Sequence, residues 1–252
     1  MVKLRSQTRG WHVTLAVGFC AAASLVVAAV SAAAVQGAGV HDGPAAAEPV
    51  SLGGPVTVRR LDEAQYKRSI AQVFGPGVKV PGRFEPPVRE DGLLAIGDSK
   101  VVVTPSGAEQ YALRAREISA QVVDDAHWSA LANCSPQAKA EFDEACAQEV
   151  FAKYGRQLFR RPLSDGEMDS ALALARRSTT TSGNFHKGVG AGLASLLASP
   201  AFIFRIENTE PDPAHTGASR LDAYALASRI SFLPWDGPPD EEIGRASCRE
   251  RV

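Results

Sequence analysis

Two cysteines in the middle of the chain, Cys134 and Cys146, carry the most definite chemistry of the sequence. A thiol pair at this spacing forms a disulfide, ligates a metal or stays reduced in the core. The chain has no CxxC pair, and the nearest histidine, His127, does not continue a metal-ligand pattern. We predict a disulfide, whose short loop stabilises the fold by about 3 kcal/mol by restricting the unfolded chain. A metal site and two buried thiols are the alternatives.

Four arginines beside apolar or aromatic residues carry the second kind of chemistry. They lie in three phrases: Tyr154-Gly-Arg-Gln-Leu-Phe-Arg-Arg-Pro-Leu163, Ser199-Pro-Ala-Phe-Ile-Phe-Arg-Ile-Glu207, and Leu226-Ala-Ser-Arg-Ile-Ser-Phe-Leu-Pro-Trp235 followed by Pro239-Asp240-Glu241. The stem of such an arginine packs on a ring while its guanidinium binds a carboxylate. We predict structural arginine–acid pairs that hold helices together, formed by Arg160, Arg161, Arg205, Glu207, Arg229 and Asp240, with Asp222 as a further candidate acid. An arginine-lined pocket for an anionic group, such as a haem propionate or an acidic sugar, is the alternative.

The remaining signals favour structure over chemistry. A glycine series lies inside a helical pattern and favours close helix packing over phosphate binding; it comprises Gly188, Gly190 and Gly192. Trp235 is predicted to anchor the core, with a sugar-binding platform as the alternative. The histidines show no ligand spacing, and no GxSxG, HExxH or Walker sequence is present. The sequence therefore shows no catalytic residue and no metal ligand.

Six helices are predicted to position these residues, from apolar residues at helical spacing and from capping residues. Their predicted ranges are 62–74, 104–125, 135–161, 164–176, 184–198 and 222–233. Four of the starts have a Ser/Thr/Asp cap: Asp62 and Ser164 head capping boxes, while Thr104-Pro105 and Ser135-Pro136 place proline in the first turn. Strand signals are nearly absent, so the predicted class is all-α. We expect an irregular multi-helix bundle with a long Pro/Gly-rich loop at 78–103, in which Val101–Val103 favours one short strand.

Residues 1–35 have the features of a signal peptide or a membrane anchor. Lys3, Arg5 and Arg9 form a basic start, and the following residues to 35 are almost wholly apolar. The small residues of 31–34 favour cleavage after Ala34, with Ala38 as the second choice. The apolar run is also long enough to span a bilayer, so an uncleaved, membrane-tethering helix is the alternative. Both interpretations export the rest of the chain, which favours a disulfide.

Three further segments follow the export segment. Residues 36–55 are rich in Gly, Ala and Pro and are predicted to be a flexible linker, and residues 56–241 form the helical domain. Residues 242–252 are predicted to be an artefact, because a short-read sequencing adapter spells Ile243 to Val252 codon by codon. We therefore expect the natural protein to continue past Glu241 or Glu242.

Together with Arg60-Leu-Asp-x-x-Gln-Tyr66 and the cysteine pair, the three phrases resemble a family of secreted, cytochrome-associated domains of unknown function. That family is abundant in planctomycetes and is also found in proteobacteria and myxobacteria. The resemblance covers residues 57–241 and rests on the motifs GRxxFRRPL, SPxFxxRxE and LASRxSxxxW. It implies an exported, mostly helical, multi-domain protein whose members often carry a c-type haem motif, CxxCH, in a separate region. This chain has no CxxCH, so no cofactor is expected in these residues and haem c only in a carboxyl-terminal part.

The resulting functional hypothesis is the front part of a larger periplasmic or membrane-tethered redox protein associated with a c-type cytochrome. The alternatives are part of an extracellular polysaccharide-degrading enzyme and a non-catalytic scaffold. The net charge of −1 becomes more negative without the basic ends of the chain, which argues against a nucleic-acid partner. The expected partners are the membrane, through the amino-terminal segment, and other domains of the full-length protein. The sequence does not identify the redox partner.

Overall fold

The computed structural model describes residues 56–86, 91–92, 103–134, 136 and 138–240. The predicted export segment, the linker up to residue 55 and the predicted adapter-derived tail lie outside these described residues. So do Val101 and Val102 of the predicted strand, and Val103 lies in no strand. Within the described part of the chain, no helix is both long and apolar enough to cross a membrane.

The described residues form eight helices, so the chain is mostly helical, as predicted. They are α1 Glu63–Phe74, α2 Pro105–Val122, α3 Trp128–Leu131, α4 Glu144–Phe159, α5 Asp165–Ser182, α6 Phe185–Leu197, α7 Pro200–Ile203 and α8 Ala223–Phe232. Helix α6 packs against α5, α2 and α4, and buried apolar side chains from all of the longer helices form one core around it.

The predicted capping boxes set the starts of α1 and α5. Asp62 accepts a hydrogen bond from the Gln65 backbone N–H at 2.8 Å, and the Gln65 side chain accepts one from the Asp62 N–H at 3.3 Å. Ser164 and Glu167 form the same reciprocal pair at α5. Such a box satisfies two of the donors that every helix start leaves unpaired, so these boundaries are local properties of the sequence.

The start predicted for the third long helix was wrong. Helix α4 begins at Glu144, with Asp143 as its cap, and not at Ser135-Pro136. A helix running from 134 to 146 would separate the two cysteines by about 18 Å, at 1.5 Å per residue. Their Cα atoms lie 5.6 Å apart, so the disulfide requires a loop where the local signal favours a helix.

Four short strands correct the predicted all-α class. They are β1 Val58–Arg60, β2 Phe204–Ile206, β3 Thr209–Pro211 and β4 Ser219–Leu221. Strand β1 pairs antiparallel with β2, and β3 pairs antiparallel with β4. Each strand has three residues, which is too short to show an alternating pattern in the sequence. The β1–β2 pair places Arg59 directly opposite Arg205.

A buried arginine that was not among the predicted structural residues, Arg114, holds the described start of the Pro/Gly-rich loop. Arg114, only 2% exposed, donates to the backbone carbonyls of Pro81 at 3.0 Å and Arg83 at 2.7 Å. Its guanidinium also lies 3.8 Å from the centre of the Phe84 ring. Arg114 follows Tyr111 by three residues on the buried face of α2. A cation at a helix position that the periodicity places among apolar residues was therefore the sequence feature that could have predicted it.

Candidate functional site

The three arginine-containing phrases of the sequence meet at one small pocket, the arginine pocket. The carboxyl end of α4, the α7–β2 segment and one face of α8 form its walls, which enclose about 150 Å³. The lining residues are Phe159, Arg160, Arg161, Ala201, Arg205, Ile206, Glu207, Asn208, Tyr224, Ala225, Ser228 and Arg229. All four of the predicted arginines thus reach one cavity, together with one of the predicted acids.

Arg160 forms the floor of this pocket and is held by backbone carbonyls. It ends α4 in the left-handed conformation, with φ of 59°, and is 7% exposed. Its guanidinium donates to the carbonyl oxygens of Ala201 at 2.8 Å, Phe202 at 3.3 Å and Phe204 at 2.6 Å. Burial lowers the pKa of Arg160, and the nearby cation Arg205 lowers it further. The side chain therefore ties the end of α4 to the α7–β2 segment.

Arg161 pairs with Glu167 of α5 through two hydrogen bonds of 2.8 Å. The same carboxylate accepts from the Ser164 backbone N–H at 2.8 Å, as part of the α5 capping box. These bonds to the charged form, with that from Arg161 the strongest, lower the pKa of Glu167 to about 2. One acid thus connects the pocket wall to the start of the next helix.

Glu167→Gln is expected to remove a pH-dependent part of the stability. A carboxyl group with a lowered pKa stabilises the fold above the pKa of the unfolded chain, near 4.5, and loses this contribution as the pH falls towards 2. Since glutamine also closes capping boxes, the substitution removes mainly the charge. We expect a loss of about 1 kcal/mol at pH 7, the upper end for surface ion pairs, and about a quarter of that at pH 2.5, where the folded carboxyl is still mostly ionised. Urea unfolding at both pH values measures this.

Glu149→Gln on the exposed face of α4 is the matched control for that measurement. It removes one carboxylate without an ion pair among the described residues, so the free energy of unfolding should change little at either pH. A Glu167→Gln effect of the same size at pH 2.5 and pH 7 would contradict the ionic contribution.

Arg229 pairs with Glu207, one of its predicted partners. Its Nε lies 3.0 Å from Oε1 and its Nη2 lies 2.6 Å from Oε2 of that carboxylate. The backbone N–H and hydroxyl of Thr57 also donate to Oε2, at 3.2 and 3.0 Å. Burial raises the pKa of Glu207, but the bonds from Arg229 and Thr57 outweigh burial and lower it. This carboxylate is therefore charged and joins β2, α8 and the segment before β1.

Arg205 differs from the other three arginines. Its guanidinium lies over the Phe232 ring, 4.7 Å from the ring centre, and makes no hydrogen bond or ion pair within the described part of the chain. Burial lowers the pKa of Arg205, and the positive charge of Arg59 lowers it further. The Nε of Arg59 is itself buried without a hydrogen-bond partner among the described atoms. Two like charges thus face each other across β1 and β2, which destabilises a strand pair.

Three polar side chains complete the wall near Arg205: Asn208, Tyr224 and Ser228. In the described residues none of the three uses its side chain in a hydrogen bond. Asn208 is exposed and the other two are half-buried, so these side chains and the Arg205 guanidinium are accessible to a ligand that enters the cavity. The arrangement suits the oxygen atoms of a small anion and offers no nucleophile–base pair.

Three other predicted residues lie elsewhere. Asp222 caps α8 by accepting from the Ala225 N–H at 2.7 Å, and Asp240 lies on the wall of a neighbouring cavity. Trp235 is 57% exposed, so the prediction that it anchors the core was wrong. The chain turns at Asp236, which has a positive φ of 53°, and this turn leaves the ring outside the core.

The disulfide between Cys134 and Cys146 is confirmed. Cys146 lies in the first turn of α4, where its N–H donates to the cap Asp143 at 3.0 Å. The indole N–H of Trp128 donates to the Cys134 carbonyl at 2.9 Å. The bridge therefore fixes the loop between α3 and α4 against the start of α4.

Replacing both cysteines with serine should lower the free energy of unfolding by about 3 kcal/mol, because the unfolded chain regains the entropy of a short loop. Urea unfolding of the oxidised protein and of the double variant measures this loss. The reduced parent protein serves as the control and should match the variant. Equal stability of oxidised and reduced protein would contradict a stabilising bridge.

The histidines do not assemble a metal site in the described ranges, where no group of three or more potential ligands is placed to hold a metal ion. Each histidine within the described residues has its Nδ1 beside the carboxylate of one aspartate. The distances are 2.6 Å from His127 to Asp124, 2.9 Å from His186 to Asp125 and 2.9 Å from His215 to Asp212. The His186 ring also stacks on Trp128, with 4.0 Å between ring centres. These contacts are structural.

Comparison with known proteins adds one finding. The family model PSD5, described as a protein of unknown function (DUF1595), matches residues 146–207. The chain is similar to DUF1595 over this segment. The match begins in α4 and ends at Glu207, so it includes three of the four pocket arginines and the acid that pairs with the fourth. No curated protein and no solved structure matches the chain.

Proposed function

We propose that this chain is the helical part of an exported, cytochrome-associated protein and that its arginine pocket binds an anionic group. The first half rests on the motifs that resemble the cytochrome-associated family, and the similarity to DUF1595, a domain of unknown function, is consistent with it. The export features of residues 1–35 and the disulfide support placement outside the cytoplasm, in the periplasm or tethered to the membrane.

The proposed anion binding rests on Arg205, whose guanidinium makes no hydrogen bond or ion pair within the described residues. Arg160, Arg161 and Arg229 use their guanidinium groups on carbonyls or carboxylates, whereas Arg205 keeps its donors for the cavity. The positive charges of Arg59 and Arg229 act on Arg205 more strongly than the nearby carboxylates of Glu207 and Asp236, and a bound anion would relieve this repulsion. The planar guanidinium presents two parallel N–H groups, which match a carboxylate or another oxyanion.

A titration with two small carboxylates tests pocket binding. Propionate and glucuronate should both bind to the full chain, whereas glucose should not, because the pocket selects the charged group. Arg205→Gln should weaken both by at least about tenfold, the usual loss for a charge-assisted hydrogen bond. Isothermal titration calorimetry, or NMR of the arginine side-chain N–H groups, measures the affinity.

Arg177→Gln is the matched control for Arg205→Gln, because Arg177 is exposed on α5 and makes no ion pair in the described residues. Its carboxylate affinity should equal that of the parent. If the Arg205→Gln variant binds the carboxylates as tightly as the parent, or if neither carboxylate binds, the proposed anion binding is wrong. The pocket would then have only a structural role.

The genomic locus tests the cytochrome association separately. A CxxCH motif downstream of Glu241, with covalent haem in the periplasmic fraction, is the expected result. Genomic codons for Ile243 to Val252 would contradict the adapter assignment, and a complete gene without any CxxCH would contradict the cytochrome association.

A further inference from the structure

A second cavity adjoins the arginine pocket on the other side of α8, and we call it the basic groove. It encloses about 600 Å³ between α1, α4, α8 and residues 238–240. The residues that line it are Gln72, Val73, Ala152, Lys153, Arg156, Gln157, Arg160, Tyr224, Ala227, Pro238, Pro239 and Asp240. Arg160 and Tyr224 line both cavities, so the two are neighbours across the start of α8.

The groove carries two exposed cations. Lys153 and Arg156 are exposed on α4, and neither forms an ion pair in the part of the chain that the structure describes. The ammonium of Lys153 lies 4.9 Å from the centre of the Tyr154 ring. Asp240 is the one acid among the lining residues, so positive charge prevails along the α4 side of the groove.

Neutral polar groups share the rest of this cavity with apolar side chains, which are Val73, Ala152, Ala227, Pro238 and Pro239. The Gln157 amide and the Tyr224 hydroxyl make no side-chain hydrogen bond within the described residues, while the Gln72 amide donates to the Pro238 carbonyl at 3.2 Å. Neither cavity has a histidine, methionine or cysteine among its lining residues. The histidine, methionine and cysteine ligands that are common in haem proteins are thus missing from both walls. Amides and a phenol instead suit the hydroxyl groups of a sugar.

Because the two cavities share Arg160 and Tyr224 as lining residues, we infer that the arginine pocket and the basic groove form one site for an acidic oligosaccharide. The inference rests on the proposed anion binding at Arg205. One anionic group binds in the pocket, where 150 Å³ admits little more than that group and its attachment. The following sugar units lie in the groove, with a second anionic group beside Lys153 and Arg156. Carboxylates and sulfate esters share this chemistry.

Calorimetry of the full chain with saccharides of matched length tests the inference. We expect a trimeric uronate to bind at least about tenfold more tightly than the monomer, since it gains a second charged contact. The neutral trisaccharide should not bind. A sulfated trisaccharide separates the two sources of negative charge, and a triglutamate peptide tests an acidic peptide as the ligand.

The double variant Lys153→Gln/Arg156→Gln separates this inference from the proposed function. It should lower trimer affinity to that of the monomer while leaving monomer binding unchanged, whereas Arg205→Gln should weaken both. The matched control is Arg177→Gln/Lys187→Gln, which removes two exposed charges elsewhere and should change neither affinity. Thermal unfolding of each variant shows that the fold is intact.

The possible failures are distinguishable. The extended site would be overturned if monomer and trimer bind with equal affinity, or if the double variant at Lys153 and Arg156 binds the trimer as tightly as the parent. Either result would be compatible with anion binding at Arg205. Tighter binding of the triglutamate than of either acidic saccharide would replace the sugar by a peptide. Absence of any Arg205-dependent binding would overturn the proposed function and this inference together.

Discussion

Replacing Gly192 with alanine should lower the free energy of unfolding by about 3 kcal/mol, at the upper end for inserting one methyl group into a packed core. A Cβ at this position would lie 2.2 Å from the Phe151 ring, which is fully buried. Helix α6 cannot shift freely away from α4, because Gly188 of α6 lies against α5 with no room for a Cβ. Chemical unfolding monitored by circular dichroism measures the loss.

Gly166→Ala is the matched control within the same bundle. Gly166 lies in the first turn of α5, and a Cβ there would meet nothing within 4 Å. Alanine is favoured over glycine in a helix by up to about 1 kcal/mol, so this variant should be slightly more stable than the parent. If Gly192→Ala also stabilises the protein, then α6 does not pack against α4 as closely as the structure shows.

The helix starts that were predictable are those fixed by residues next to each other in sequence. Asp62 with Gln65 and Ser164 with Glu167 bond to each other within one turn, so no distant residue is needed to place α1 and α5. Helix α5 nevertheless runs to Ser182, beyond the predicted Arg176, because a left-handed glycine, Gly183, ends it.

The features that were not predictable depend on distant contacts. Strand β1 pairs residues near 59 with residues of β2 near 205, and no local sequence pattern predicts a partner so far along the chain. Ser199-Pro200 was interpreted as the end of a helix, although the same pair starts the short helix α7. A Ser-Pro pair is compatible with both, since proline cannot continue one helix but fits the first turn of the next.

The arginine pocket was predictable in its components but not in its pairing. The three phrases identified four arginines and Glu207, yet Glu207 is two residues from Arg205 and pairs with Arg229 instead. That choice depends on how α8 lies against β2, which the sequence does not show. Glu167, which pairs with Arg161, was recognised only as a capping residue. The unpaired state of Arg205 therefore emerged only from the structure.

Arg160→Met should destabilise the fold by about 3–5 kcal/mol, because it leaves several buried carbonyl groups without a donor. The guanidinium donates to Ala201, Phe202 and Phe204, and methionine fills a similar volume with no hydrogen-bond donor. Arg205→Met should change the free energy of unfolding by less than about 1 kcal/mol. It loses the contact with the Phe232 ring but relieves the repulsion from Arg59. Urea unfolding of both variants compares the two side chains directly.

The contrast between these two variants separates structural from binding arginines in a single pocket. A residue selected for a ligand contributes to affinity and little to stability, whereas a residue selected for the fold does the reverse. Arg205→Met should therefore lose carboxylate affinity with its melting temperature nearly unchanged, and Arg160→Met should melt earlier. If Arg205→Met instead costs as much stability as Arg160→Met, then Arg205 is a structural cation like its neighbours. The pocket would then have no donor reserved for a ligand, and the proposed anion binding would lose the observation that carries it.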